Sequence, residues 1–382
     1  MDVTAAKGLS LSSFLAVTIP DRNPIPEGQP RAIEPEPDLN ESVIERSPQP
    51  RPRRVLWCRR PPRSNMISLN FMTGEDPLSL DRIRAVLIRL EDTIIFGLIE
   101  RAQFAHNPRI YQKGAFKELV DLGFTGSWLE WFLKETETFH AKARRYTSPD
   151  EYPFTVGLPE PVLPPLTFPK ILFPNNINAN PSILSFYTRA IVPRITRRAT
   201  LALAAQKRAQ GIIGDEEFED DGNYGSSANL DIEVLSSISK RVHYGKFVSE
   251  SKFMSDPAAF VPHIIKPNRE ALEKLITKPE VERKLLLRLQ KKAAIYAQDV
   301  GPDGEAIGLN GNGNADANGS AKLSASAKID VDGVVDLYES YIIPLTKEVE
   351  VDYLLHRLDG LSQDDIDKLL EISKNKAAAQ AA

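Results

Sequence analysis

From Asp76 onward, apolar residues return at the 3.6-residue interval of a helix rather than the two-residue interval of a strand. Ile83, Leu87, Leu90, Ile94 and Leu98 mark one face of a long amphipathic segment, with Asp76 or Ser79 standing where a helix cap belongs. The same signature recurs across residues 126–146, 181–209, 229–253, 269–297 and 334–358. Pro193 and Pro344 fall inside two of these segments, where a ring lacking an N–H should kink or break the helix. Strand-like alternation is scarce. The pattern therefore predicts a mainly α fold, with the Pro-rich stretch 148–169 as a long loop between helices.

Helical periodicity is missing from both ends and from two internal stretches. Across residues 1–70 proline and charge displace apolar residues, so a disordered Pro/Arg-rich extension is expected there, followed by one folded domain over 71–360 and a helical or disordered tail over 361–382. Seven arginines lie between Arg46 and Arg63, and a solvated tail is the favoured reading for them. Met66 and Met72 are both possible starts. The segments 214–222 and 301–328 read as inserts, the second a Gly/Asn/Ala/Ser low-complexity loop whose glycines are too loosely spaced to cradle phosphate. The DVDG stretch at 330–333 lacks the remaining ligand positions of a calcium loop and reads as a helix N-cap.

Charge and composition narrow the chemistry. Lysine plus arginine against aspartate plus glutamate gives 48 − 52 = −4, so the whole protein carries no nucleic-acid footprint. No apolar run approaches the roughly 20 residues of a membrane-spanning helix, and the apolar patch in the first twenty residues lacks a basic start and a cleavage site. One cysteine, Cys58, excludes an internal disulfide framework and suits a reducing, cytoplasmic setting. The five histidines have no metal-ligand spacing, and no Gly-x-Ser-x-Gly elbow occurs, so neither a metal site nor a nucleophile is expected.

Cations and carboxylates on helical faces remain. Arg241, Gly245, Val248 and Lys252 stand at i, i+4, i+7 and i+11, which puts them on one face of a continuous helix with the two cations about 16 Å apart along its axis. Arg84 follows the core position Ile83, and Thr346 and Glu350 form an i, i+4 pair. Singly, each of these reads as a solvated residue or an intrahelical ion pair.

Several longer stretches carry a resemblance: IRAVLIRLEDTIIFGLIERAQF, ARRYTSPDEYPF, NYGSSANLDIEVLSSISKRVHYGKFVSESKFMSD, EVERKLLLRLQKKAAIYA and IIPLTKEVEVDYLLHRL. Together they resemble the all-helical, allosterically regulated chorismate mutases of fungi and plants, the fungal form most nearly, over about residues 78–358. The resemblance sharpens the fold to an all-α, bundle-like one and implies a homodimer that converts chorismate to prephenate by an intramolecular rearrangement, with no cofactor, in phenylalanine and tyrosine synthesis. It implies that Arg84 and Arg241 bind carboxylates and that Lys252 contacts a carboxylate and the ether oxygen. It further implies that protonated Glu350 donates to that oxygen, Glu282 bonds the ring hydroxyl, Thr346 makes a polar contact and Val248 an apolar or backbone one. Lys278 stands where fungal relatives commonly have Asn, so either a fourth cation faces the site or the helix is locally rearranged.

A second pocket follows from the same resemblance. Arg144, Arg145, Asn223, Gly225 and Ser226 match the positions that bind tyrosine as inhibitor and tryptophan as activator at the dimer interface. Asn229 replaces a Thr there and Gly222 an Asn. Two rivals stand beside this reading: a catalytically silent helical scaffold, against which the joint retention of the six catalytic matches argues, and a nucleic-acid binder, against which the charge balance argues. Trp128, Trp131 and Phe132 read as core or dimer packing.

Overall fold

The computed structural model describes residues 76–164, 166, 170–212, 216–300, 306–307 and 327–371. The Arg-rich stretch, Cys58, and nearly all of the 301–328 insert lie outside them. In chain order the helices are α1 (Leu80–Arg101), α2 (Lys117–Asp121), α3 (Trp128–Lys142), α4 (Asn180–Phe186), α5 (Val192–Ile195), α6 (Arg197–Ala209) and α7 (Tyr224–His243). There follow α8 (Gly245–Ser255), α9 (Pro257–Ile265), α10 (Arg269–Ile276), α11 (Pro279–Tyr296), α12 (Val331–Asp336) and α13 (Ile343–Leu355). Residues 363–371 are also helical. The only strands among the described residues are an antiparallel pair of two residues each, Asp299–Val300 against Ala306–Ile307.

The periodic face of α1 packs as its sequence predicts: Ile83, Leu90, Ile94 and Leu98 are buried. Ser79 holds the N-cap position without a side-chain bond, while the Asp76 carboxylate accepts from the Leu78 N–H at 2.9 Å. The largest core joins α1, α3, α4, α7, α11 and α12 through residues such as Ile95, Leu133, Ile183, Leu235, Leu289 and Val334. A second, built on Phe253, Phe260, Leu272, Val351 and Leu354, unites α8, α9, α10 and α13 and takes in Ile366 from the C-terminal helix. Between α1 and α7 runs a buried ion pair, Arg101 Nε to Asp231 Oδ1 at 2.9 Å. The hydroxyls of Tyr111 and Tyr187 saturate the carboxylate at 2.6 and 2.8 Å. Full satisfaction of this kind is what makes a buried charge pair tolerable.

Neither internal proline breaks its helix. Five residues before Val192 and six before Ile343, Tyr187–Ile191 and Leu337–Ile342, form π-helical turns. A widened turn moves away the carbonyl that the proline ring would strike and removes the need for the missing N–H. Helix α13 therefore continues past Pro344 and carries Thr346 and Glu350 inward. A different break was not anticipated: the ladder between α7 and α8 is interrupted at Tyr244. The continuous helix expected through Arg241 and Lys252 is thus two helices with a joint between them.

The stretch 216–222 is stitched into the fold rather than inserted loosely. The Asp221 carboxylate accepts from the backbone of Ala105 and Asn223 and from the Asn107 amide, each at 2.8 Å. Gly222 has φ +76°, a left-handed conformation that glycine and asparagine share, which accounts for either residue serving at this position. The long loop before α4 is ordered by side chains. The buried Glu137 carboxylate accepts from the N–H groups of Phe154 and Thr155 at 2.8 and 2.7 Å, and Lys240 pairs with Asp150 and Glu151 at 2.6 and 2.8 Å.

Candidate active site

The site forms where α8 and α13 press together, with α1, α10 and α11 at its rim. Close approach depends on a missing side chain. A Cβ on Gly245 would lie 2.9 Å from Glu350 Cγ and 3.0 Å from Thr346 Cγ2, so only glycine lets α8 seat against this face of α13. The Ser249 hydroxyl donates to the Glu350 carbonyl at 3.2 Å, and Arg357, in the turn just past α13, holds Glu250 of α8 at 2.7 Å.

Glu350 is 7% exposed, and burial pushes its carboxyl up to about 7, against the opposing pull of Lys252 and Arg241. Desolvation disfavours the carboxylate more than the neighbouring cations stabilise it. A substantial fraction of the group consequently carries a proton at neutral pH. Lys252 is held the other way: burial lowers its proton affinity, Glu350 restores part of it, and Lys278 and Arg84 lower it further. Its ammonium donates to the Ile276 carbonyl at the end of α10. Thr277 Oγ1, beside that carbonyl, is buried without a partner.

Arg241 is 6% exposed, and its Nε has no hydrogen-bond partner. Leaving a buried donor unmade costs about 1–3 kcal/mol, a cost offset when a ligand brings an acceptor. Nearby, the hydroxyl of fully buried Tyr338 is also unpartnered, and burial raises its pKa although Arg241 pulls it down. Tyr338 sits in the second π-turn. Behind it Glu91 of α1, 1% exposed, receives Arg288 of α11 through two bonds at 2.8 and 2.5 Å and Lys292 at 3.2 Å.

The residues expected from sequence fall into two groups. Arg241, Lys252, Glu350 and Thr346 converge, with Thr346 Oγ1 donating to the Ile342 carbonyl at 2.6 Å. Glu282 and Lys278 join from the start of α11. Glu282 acts on both Lys252 and Glu350 and is paired with Lys347 at 3.0 Å. Lys278 is exposed, in extended backbone at the N-cap of α11, with its charge felt at Lys252. Arg84 stands at the rim, its side chain 55% exposed and bonded to Asp81 at 3.1 Å. Val248 packs against the cluster of Ile83, Val86 and Phe247 that supports α8 on α1.

Sequence reasoning missed Gly245 as a contact, Glu91 with Arg288, and Tyr338. A signal existed for Glu91, an acid one step from Leu90 on an apolar stripe. Nothing in spacing reveals the other two.

The second set does not meet within one chain. Asn223, Gly225, Ser226 and Asn229 are exposed around the start of α7, with open space at Gly225. Asn229 bonds Glu233 at 2.9 Å. Arg145 instead reaches Ser236 at 2.7 Å, ten residues beyond Ser226 and so about 15 Å along the helix. Arg144 has φ +69°, a left-handed backbone rare outside glycine, and donates to the Pro164 carbonyl at 3.0 Å.

Comparison with known proteins agrees with this geometry. The family model described as chorismate mutase type II matches residues 223–351, the span from the start of α7 into α13. A maize protein, "Chorismate mutase 1, chloroplastic", is 43% identical over 285 residues, covering 74% of this chain and 80% of the relative. Among solved structures, the Aro7p chorismate mutase of Candida albicans, in complex with L-Trp, is 37% identical with a TM-score of 0.64, covering 79% of this chain and 100% of that one. AtCM1 with tyrosine bound in its allosteric site is 38% identical with a TM-score of 0.57, covering 75% and 99%. The conserved architecture and the extent of these matches make the chain a member of the chorismate mutase type II family.

Proposed function

We propose that this protein is an intramolecular isomerase that rearranges chorismate to prephenate in aromatic amino-acid synthesis, at the site formed by α8 and α13. The observation that carries the reading is a buried carboxyl with a pKa raised to about 7, set beside a buried arginine with an unpartnered N–H and a desolvated lysine. Chorismate bears two carboxylates and an enolpyruvyl ether. Its rearrangement breaks the ether C–O bond as a new C–C bond forms, moving electrons around a ring without a covalent enzyme intermediate.

In this reading Arg241 and Arg84 clamp the carboxylates and hold the substrate in the folded, reactive shape. Lys252 leaves the Ile276 carbonyl to share a carboxylate and the ether oxygen, where negative charge grows as the bond breaks. Protonated Glu350 donates to the same oxygen; ionised, it would repel that charge. Glu282 receives the ring hydroxyl, Thr346 adds a polar contact, Val248 an apolar one, and Lys278 places a fourth positive charge at the entrance.

Regulation by tyrosine and tryptophan is part of the proposal. In one chain Arg145 meets α7 at Ser236, about 15 Å along the helix from Ser226. A homodimer that brings the Arg144–Arg145 corner of one copy to the helix end of its partner would complete an amino-acid pocket. The cytoplasm is the proposed setting; no described helix is long and apolar enough to cross a membrane. Purified full-length protein should consume chorismate faster than buffer does and accumulate prephenate; a rate equal to the buffer blank would reject the proposal.

A further inference from the structure

The joint at Tyr244 separates the two cations assigned above, Arg241 on α7 and Lys252 on α8. Its carbonyl is shared between the N–H groups of Phe247 at 3.1 Å and Val248 at 3.3 Å, a tightened i, i+3 turn beside the α-helical bond. The side chains that grip this joint bear on where Lys252 stands relative to Arg241.

Both residues flanking the Tyr244–Gly245 pair grip the same earlier segment, residues 175–179, and the Tyr152 ring. Lys246 is 0% exposed, yet no carboxylate is among its hydrogen-bond partners. Its ammonium donates to Asn175 Oδ1 at 2.8 Å and to the Ile177 carbonyl at 2.6 Å, and it lies 4.1 Å from the centre of the Tyr152 ring. Two acceptors and one aromatic face thus serve its three N–H groups. His243, also fully buried, accepts from the Ala179 N–H through Nε2 at 3.0 Å and bonds the Ser239 carbonyl through Nδ1 at 2.8 Å. This pairing places its proton on Nδ1. Its ring stacks on Tyr152 at 4.1 Å. Tyr152 is therefore shared between a residue before the joint and one after it.

Burial among neutral groups pulls the Lys246 pKa down from 10.5 to about 7, and a methionine of similar length would fill the space without that cost. What a methionine lacks is the directed bonds to Asn175 and Ile177. We propose that Lys246, acting with His243 through Tyr152 and residues 175–179, is a positioning residue that locks the α7–α8 joint and so sets the geometry between Arg241 and Lys252. Lys246 does not touch substrate; Gly245 beside it faces Thr346 and Glu350. The inference rests on the chorismate reading.

The test uses the full-length protein and steady-state kinetics with chorismate. Lys246→Met should lower kcat by about 10-fold or more while KM moves by less than about threefold, because a misplaced Lys252 weakens the transition state more than the ground state. The control is Leu119→Ala, in a small cluster with Ile110 and Phe116, with both variants compared by melting temperature. If Lys246→Met retains kcat within twofold of wild type, or loses no more than Leu119→Ala at an equal fall in melting temperature, the inference is overturned. Should Lys246→Met fail to fold, Tyr152 decides. Tyr152→Phe keeps the ring face and should hold kcat, whereas Tyr152→Leu should lower it; equal rates for the two overturn the inference. Inactive wild-type protein would instead reject the chorismate reading itself.

Discussion

Replacing Gly245 with alanine is a small change aimed at the contact on which the proposed site depends. The added Cβ would lie 2.9 Å from Glu350 Cγ, while ordinary contact begins at 3.4 Å, so one of them must move by about 3.4 − 2.9 = 0.5 Å. Retreat by α8 is opposed on its other side, where Phe247 and Val248 pack against Ile83 and Val86 of α1. Glu350 must yield. A 1 Å misplacement of a reacting group can cost about 10²-fold, so half that shift predicts a loss near 10-fold in kcat. Stability should change less. Overpacking costs about 1–3 kcal/mol, while alanine gains about 1 kcal/mol over glycine in a helix. The net effect is roughly 0–2 kcal/mol of destabilisation, small enough for a cooperative fold to survive. Initial rates from chorismate absorbance, paired with thermal melting by circular dichroism, separate the two effects. A Gly245→Ala variant with kcat within twofold of wild type would refute the close seating of α8 on α13 as a catalytic requirement.

Other perturbations test neighbouring parts of the account. Glu350 must be protonated to donate, and its carboxyl titrates near 7, so wild-type activity should fall as pH rises through that value; Glu350→Gln should flatten the fall, and an unchanged kcat–pH profile would remove the acid from the mechanism. His243 is held neutral by burial, its pKa pushed down from 6.5 to about 3. The unfolded chain binds that proton more readily, so this contribution to stability is complete above pH 6.5 and is lost as pH falls toward 3. Replacing His243 with Gln should flatten that part of a denaturant-measured stability curve, and an unaltered acid limb would show that other groups govern it. Arg144→Gly relieves a left-handed backbone that costs a non-glycine residue about 1 kcal/mol, so stability should hold or rise. Tyrosine binding by calorimetry should disappear in the same variant, and retained binding would exclude Arg144 from the effector pocket.

Periodicity carried most of the fold because the apolar stripe of α1 and those of the later helices are local properties of sequence. It could not carry the response to Pro193 and Pro344, since a π-turn depends on whether neighbouring helices tolerate a bulge. The break at Tyr244 was likewise hidden: Tyr244 is compatible with helix, and the interruption is held by Lys246, His243 and a segment some seventy residues earlier. From spacing alone, Glu350 was legible only as half of an i, i+4 pair. Its proton comes from burial by α8, a tertiary effect that spacing does not encode. The effector residues were legible as motifs, but their separation along α7 was not, because the placement of Arg145 against Ser236 is long-range. Nothing in the local sequence marks Lys246, which is fully enclosed in the fold.

The central claim is that a half-buried cation, Lys252, and a buried protonated acid, Glu350, on facing helices carry the rearrangement. Comparing chorismate turnover by wild-type protein and Lys252→Ala measures it most directly. The account predicts turnover well above the buffer rate for wild type and a kcat about 10²-fold lower or worse for the variant, the scale of a lost transition-state contact. Near-equal kcat in the two proteins would contradict it.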